Sequence, residues 1–181
     1  MTVPLHAMLL QTLCLTITSI YNLPVDDPGA QEPPASETRI LPFGGNITND
    51  AIGYTRDCPP GSYISLFKGR IKASQVAALG PFTCSGRRKT ILRAVARSSG
   101  ASFKHNGGNY TEIRVEASDS GITSIELVSP KGMAQYGASG GSRSAVLACP
   151  PGNMISGVYG SATKRRPITL GVICRPAGPE N

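Results

Sequence analysis

Cys58-Pro59-Pro60-Gly61, followed by Ile64-Ser65 and Gly69, returns later as Cys149-Pro150-Pro151-Gly152, followed by Ile155-Ser156 and Gly160. The internal offsets of the two stretches are identical. Leu79-Gly80 and Leu170-Gly171 then fall at the same distance from the first cysteine of each. A second cysteine closes each copy, Cys84 in one and Cys174 in the other. Two copies at such a distance, roughly twice 45 residues, leave room for a third and more diverged one between them. The chain reads as one supersecondary unit used three times.

The composition agrees with short strands and many turns. Of 181 residues, 21 are glycine, 15 are proline and none is tryptophan. Long helix-forming runs are absent, so an all-β class is expected. Pro-Pro-Gly makes a rigid turn, because proline presets φ and glycine accepts positive φ. Strands are expected at Tyr63-Ile64-Ser65-Leu66-Phe67 and at Met154-Ile155-Ser156-Gly157-Val158-Tyr159. A basic hairpin follows each, with Lys68, Arg70 and Lys72 in one and Lys164, Arg165 and Arg166 in the other. Residues 76–82 and 168–173 are closing strands whose apolar continuity predicts burial on both faces. In the middle copy, Thr90-Ile91-Leu92-Arg93-Ala94-Val95 is a candidate strand and Gly107-Gly108 a turn. Thr111-Glu112-Ile113-Arg114-Val115-Glu116 alternates charge outward and apolar side chains inward.

Residues 1–19 are expected to be a signal peptide. Residues 7–23 carry no charge, and the run is too short and too polar for a membrane span. Residues 20–39, with Asp26, Asp27, Glu32, Glu37 and several prolines, form an acidic linker. The domain is placed at 40–177, with a tail at 178–181. Beyond residue 39 the chain has 17 basic and 7 acidic residues, a net of +10 against +7 for the whole. Such a domain is attracted to polyanions.

Removing Cys14 with the signal leaves four cysteines and three possible pairings. Equivalent positions of a repeat pair equivalently, which argues for Cys58–Cys84 and Cys149–Cys174. Loops of that length restrict the unfolded chain by roughly 3 kcal/mol each. Zinc-ligand spacing is missing, so no metal is expected. Sequons at Asn46-Ile47-Thr48 and Asn109-Tyr110-Thr111 fit an exported, glycosylated protein.

Gly140-Gly141, Ile155-Ser156-Gly157-Val158-Tyr159-Gly160 and Ile168-Thr169-Leu170-Gly171-Val172 resemble the motifs of the jacalin-related lectins. The resemblance covers about residues 40–177. It implies a three-fold β-prism of Greek-key four-stranded sheets. A more distant similarity is to the vitelline membrane outer layer protein, a disulfide-rich β-prism whose family is rich in tryptophan. In the lectins, a glycine-rich loop and a G-x-x-x-D loop hold sugar hydroxyls. The resemblance implies Gly44 and Gly45 for the first loop. Lys164, Arg165 and Arg166 occupy the second, where the acidic position is absent. Asp119 is the carboxylate of the corresponding loop in the middle copy. Gly140 and Gly141 are further loop glycines, and Tyr136 and Tyr159 are candidates to stack on a sugar face. A basic loop favours sulfated or uronic sugars.

Catalysis is not expected. His105 is the domain's one histidine, and no nucleophile elbow is present. Paired carboxylates for glycoside cleavage would come from Asp57, Glu112, Glu116, Asp119 and Glu126, of which Glu112 and Glu116 face outward. Nucleic acid is not expected as a partner, because aromatic platforms interleaved with basic residues are missing. No cofactor is expected, and the oligomeric state is left open. The function expected is a secreted lectin-like protein that binds a carbohydrate or glycoprotein, including an anionic polysaccharide. The alternative is a basic, disulfide-stapled structural protein of a wall, coat or matrix.

Overall fold

A computed structural model describes residues 36–86 and 89–177. The expected signal peptide, the linker up to residue 35, Cys14, the Arg87-Arg88 pair and the tail lie outside the described residues. The described residues contain thirteen strands in three antiparallel sheets and no helix. Sheet I has the order β1 (Thr38–Gly44), β13 (Thr169–Pro176), β12 (Asn153–Ala162), β2 (Ile52–Asp57). Sheet III has the order β10 (Gly132–Gly137), β9 (Gly121–Ser129), β8 (Glu112–Ser118), β11 (Arg143–Ala148).

Sheet II follows the same plan with one interruption. β3 (Tyr63–Lys72) pairs with β7 (Ala101–His105) along one edge. Along the other it pairs with β4 (Gln75–Leu79) and then with β5 (Phe82–Ser85). β4 and β5 are one strand broken at Gly80-Pro81, where proline has no N–H for the ladder. β6 (Thr90–Leu92) pairs with β5, and Val95 bridges back to Leu79. The expected strand at 90–95 is therefore shorter than its apolar pattern suggested. Each sheet has the same four strand positions, as the three-fold repeat predicts.

The copies do not coincide with the sheets, however. Each copy starts on an edge strand of one sheet and finishes in the next. β2 leads from sheet I into sheet II, β7 from sheet II into sheet III, and β11 from sheet III into sheet I. A sequence repeat alone cannot show this, because the same spacing serves a unit that folds on itself and one that spans a junction.

The inner faces meet in one core. Ile155, Val158, Leu170 and Val172 come from sheet I, Ile64, Phe67, Val76, Leu79 and Phe82 from sheet II, and Ile113, Val115, Ile125 and Leu127 from sheet III. Residues 76–80 and 167–174 are buried throughout, as their apolar continuity predicted. Ile113, Val115 and Ala117 point inward, whereas Arg114 is exposed and ion-pairs with Glu112 and Glu126 at 2.7 and 3.1 Å.

Both disulfides form as the repeat predicted, and both join two sheets. Cys58 follows β2 and bonds Cys84 on β5, with Cα atoms 5.8 Å apart. Cys149 follows β11 and bonds Cys174 on β13, with Cα atoms 5.6 Å apart. The third junction, between sheets II and III, is held differently. There Tyr110 takes the place of Ile64 and Ile155, and Ser129 the place of the second cysteine. Tyr110 is fully buried. Its ring meets Phe67 edge-on at 4.8 Å. Its hydroxyl accepts the Gly107 N–H at 2.8 Å and donates to the His105 carbonyl at 2.7 Å. His105 Nδ1 lies 3.0 Å from the same hydroxyl. A Cβ on Gly107 would stand 2.7 Å from both Ser129 Oγ and the Tyr110 ring. A cysteine has no room there while the tyrosine is present.

Arg175 braces the Cys58 junction further. Its guanidinium donates to the Cys58 carbonyl at 2.8 Å and ion-pairs with Asp57 at 2.5 Å and Glu37 at 2.9 Å. The hydrogen bonds from Arg39 and Arg175 hold the Glu37 carboxyl below its ordinary range.

These contacts predict three stability results. Removing either disulfide by a paired Cys→Ser change should cost about 2–4 kcal/mol in chemical denaturation. Tyr110→Phe leaves two buried backbone groups without their partner and should cost about 1–3 kcal/mol. An unchanged denaturation midpoint in that variant would show that the hydroxyl does not brace the junction. Burial pushes His105 below its ordinary 6.5. The unfolded chain therefore takes up that proton first, and stability should fall as pH drops through about 6.5. His105→Gln should remove the part of that slope that sets in just below about pH 6.5.

Candidate functional site

The strand directions put both disulfides and Tyr110 at one end of the barrel of sheets. The loops with the candidate binding residues lie at the other. Three backbone hydrogen bonds tie these loops into a ring. Asn46 N–H, after β1, donates to the Asp119 carbonyl in the β8–β9 turn at 2.9 Å. Ala138 N–H, after β10, donates to the Ser74 carbonyl in the β3–β4 turn at 2.7 Å. Arg97 N–H, after β6, donates to the Lys164 carbonyl in the β12–β13 turn at 2.9 Å. Each bond joins a different pair of sheets from equivalent positions, so the loop end repeats the three-fold plan of the core.

The β12–β13 turn is tightly built. Thr163 Oγ1 accepts the N–H groups of Arg165 and Arg166, each at 3.2 Å, and Thr163 N–H donates to the Arg166 carbonyl at 2.9 Å. A short hydroxyl side chain closing its own turn in this way fixes the backbone. Lys164 and Arg165 are thereby held out to solvent, and Arg166 is half-buried.

The turn forms one wall of a cleft between the loops of sheets I and II. Thr48 and Asp50 come from the β1–β2 loop, Lys72 and Ala73 from the β3–β4 turn, and Arg97, Ser98 and Ser99 from the segment after β6. Five cations, Lys72, Arg97, Lys164, Arg165 and Arg166, face one carboxylate, Asp50, which accepts a hydrogen bond from Thr48 Oγ1 at 2.7 Å. Among the described residues, none of the five has a carboxylate partner; the paired arginines are Arg39, Arg114, Arg143 and Arg175. Charges that are not neutralised in a concave surface focus field on an anionic ligand.

The structure gathers only some of the expected site residues here. Lys164, Arg165 and Arg166 line the cleft. Gly44 and Gly45 lie behind it, packed against Ile168 and against Gly121. Gly45 N–H donates to the Ile168 carbonyl at 3.0 Å, so this amide and that of Asn46 are both engaged within the protein. Asp119 is exposed on the neighbouring turn and reaches Arg143 at 3.4 Å. Gly140 and Gly141 stand over sheet III, where Glu116 Oε2 accepts their N–H groups at 2.9 and 3.4 Å. Tyr136 stacks on Phe103 at 4.2 Å, between sheets II and III. Tyr159 lies on the outer face of sheet I, donating to the Ile40 carbonyl at 3.0 Å beneath the Arg39 guanidinium. Neither tyrosine reaches the cleft. Asp50 and Arg97 were not singled out in the sequence; Thr48 was read only as part of a sequon and Lys72 only as part of the first basic hairpin. Asp50 and Thr48 sit within six residues of Gly44-Gly45, which was the one available signal. Arg97 had none, because its place comes from the Arg97–Lys164 backbone bond between sheets.

The two sequons lie at opposite ends. Asn46 is exposed on the β1–β2 loop, and Asn109 is half-buried at the Tyr110 junction. His105 is also remote from the cleft, beside Tyr110. Among the described residues no group of three or more His, Cys, Asp or Glu gathers as a metal site would require.

Neither a family model nor a curated protein matches the sequence. Solved structures do match. The agglutinin of Calystegia sepium is 20% identical, with 78% of this chain and 97% of that one covered and a TM-score of 0.62. A mannose-specific jacalin-related lectin from Morus nigra, solved in complex with mannose, is 11% identical, with 78% and 96% covered and a TM-score of 0.62. A prostate-specific WGA16 glycoprotein lectin is 14% identical, with 73% and 97% covered and a TM-score of 0.55. At such identities the likeness is one of backbone architecture, and it agrees with the three equivalent sheets and their order: the chain has the three-fold β-prism fold of the jacalin-related lectins.

Proposed function

We propose that this domain is a secreted carbohydrate-binding module, without catalytic activity, whose site is the cleft at the loop end and whose preferred ligands are sulfated or uronic sugars. The observation that carries the reading is the set of five cleft cations without carboxylate partners among the described residues, set in this fold. Structures with the same fold include one in complex with mannose and one with a biantennary N-glycan. A guanidinium offers paired donors to a sulfate or carboxylate, and the fixed β12–β13 turn lowers the ordering needed on binding. The lectin motif has its aspartate just before the closing strand, near Pro167-Ile168; here no acidic residue stands there and Lys164, Arg165 and Arg166 fill the loop, so the local charge is inverted. Export is supported by the two disulfides and the two sequons. The absence of catalysis is supported by the cleft's single carboxylate and its distance from His105.

A second reading has one observation in its favour. The amides of Gly45 and Asn46 are already donated to backbone carbonyls. A glycine loop without free amides suits a basic structural protein that has no discrete sugar pocket.

Binding to oligosaccharides at physiological salt separates the two. The first reading expects saturable binding of a sulfated oligosaccharide that free mannose does not compete away. Changing Lys164, Arg165 and Arg166 together to Ala should weaken it about tenfold or more, with the melting temperature unchanged. Attraction to every polyanion that disappears between low and physiological salt would instead support the structural protein.

A further inference from the structure

The cleft continues as a groove along the side of the prism. Ile52, Arg97, Thr163, Lys164 and Arg165 line both. From there the groove runs beside β2 and ends between Arg56 and Arg93. Arg56 Nε donates to the Arg93 carbonyl at 2.9 Å, which joins the edge of sheet I to the segment after β6. No carboxylate lines this groove, and neither arginine has an ion-pair partner among the described residues.

Among the described strands β2 pairs only with β12, so its other edge has no strand partner and faces the groove, where the Thr55 carbonyl accepts a hydrogen bond from Arg56 Nη1 at 2.8 Å. Between the two clusters of charge the lining is apolar, with Ile52 exposed on one side and Pro81 and Ala94 on the other, above the buried Val95. Ala162 pairs with Ile52, and Val158 with Arg56. Ile52 and Arg56 are therefore four strand positions apart, on the order of 13 Å, and Lys164 lies in the turn beyond Ala162. The distance between the two clusters of charge exceeds the width of one sugar ring.

We infer that the site is a track for an extended anionic glycan rather than a pocket for one sugar. The inference rests on the carbohydrate-binding reading above. Anionic groups of the chain meet Lys164, Arg165 and Arg97 at the loop end and Arg56 and Arg93 at the far end. Ring faces lie on the apolar stretch between them, and hydroxyls reach the open edge of β2. Single-stranded nucleic acid is the less fitting polyanion, since it needs aromatic faces for its bases. The one aromatic of the groove, Tyr54, is turned inward and donates its hydroxyl to the Thr169 carbonyl at 2.8 Å.

The test compares a sulfated disaccharide with a sulfated octasaccharide by calorimetry at physiological salt. It uses the disulfide-bonded protein and its Arg93→Ala and Arg56→Ala variants. Arg93 is exposed and donates no side-chain hydrogen bond of its own, so it serves if loss of Arg56 disturbs folding. The expected result is octasaccharide binding at least tenfold tighter than disaccharide binding. Each variant should lose most of that advantage while binding the disaccharide as before. Equal affinity for both lengths, or an octasaccharide affinity indifferent to Arg56 and Arg93, overturns the track and leaves the cleft standing. No binding of either sugar overturns both readings. Single-stranded DNA of matched charge binding as tightly as the octasaccharide overturns the assignment to a glycan.

Discussion

The fold depends on how each sheet is joined to the next at one end of the prism. A sheet with one apolar face is stable only when that face is covered. Here each sheet is covered by the other two, so the core exists only if all three junctions hold. Cys58–Cys84 and Cys149–Cys174 hold two of them covalently. The third relies on a buried tyrosine that fills the junction and satisfies the backbone of Gly107 and His105. The same structural problem has a covalent answer twice and a hydrogen-bonded answer once. The middle copy has no cysteine pair, and Tyr110 fills the space where a side chain on Gly107 would stand.

Bracing at one end leaves the other end to carry the variable loops. Their own ring of backbone bonds, Asn46 to Asp119, Ala138 to Ser74 and Arg97 to Lys164, holds them without side chains. Side chains there are therefore free to differ between the three sheets, and they do. At sheet III a carboxylate, Glu116, occupies the amides of the Gly140-Gly141 loop. Between sheets I and II the loops bring cations together instead, with only Asp50 opposing them. Equivalent backbone with different charge makes the corners chemically distinct, and at the corner between sheets I and II five cations have no carboxylate partner among the described residues.

Much of the architecture was legible from residues alone. The Cys-Pro-Pro-Gly repeat implied equivalent units, equivalent disulfides and, through resemblance, a β-prism. The alternation from Glu112 to Ala117 implied one buried face, because strand side chains alternate with period two. The apolar runs at 76–82 and 168–173 implied burial on both faces, which holds except at Pro81, exposed where the strand breaks. The site was less legible. Lys164, Arg165 and Arg166 were recognised as a departure from the lectin loop, and they line the cleft. Tyr136 and Tyr159, offered as candidates to stack on a sugar, lie outside the cleft, and a tyrosine beside glycine looks the same in sequence whether it faces a ligand or packs on Phe103.

The sequence by itself determined the class of structure, the number of units and the pairing of the cysteines, because those follow from local periodicity and internal symmetry. Only the tertiary structure decided that each copy spans two sheets, that Tyr110 replaces a disulfide, and that Arg56, Arg93 and Arg97 lie along one groove with Lys164. Those relations join segments 37 residues apart in the case of Arg56 and Arg93, and still further apart for Lys164, through strand pairing and loop contact. No local pattern carries them, since a surface arginine obeys the same sequence rules wherever the fold puts it.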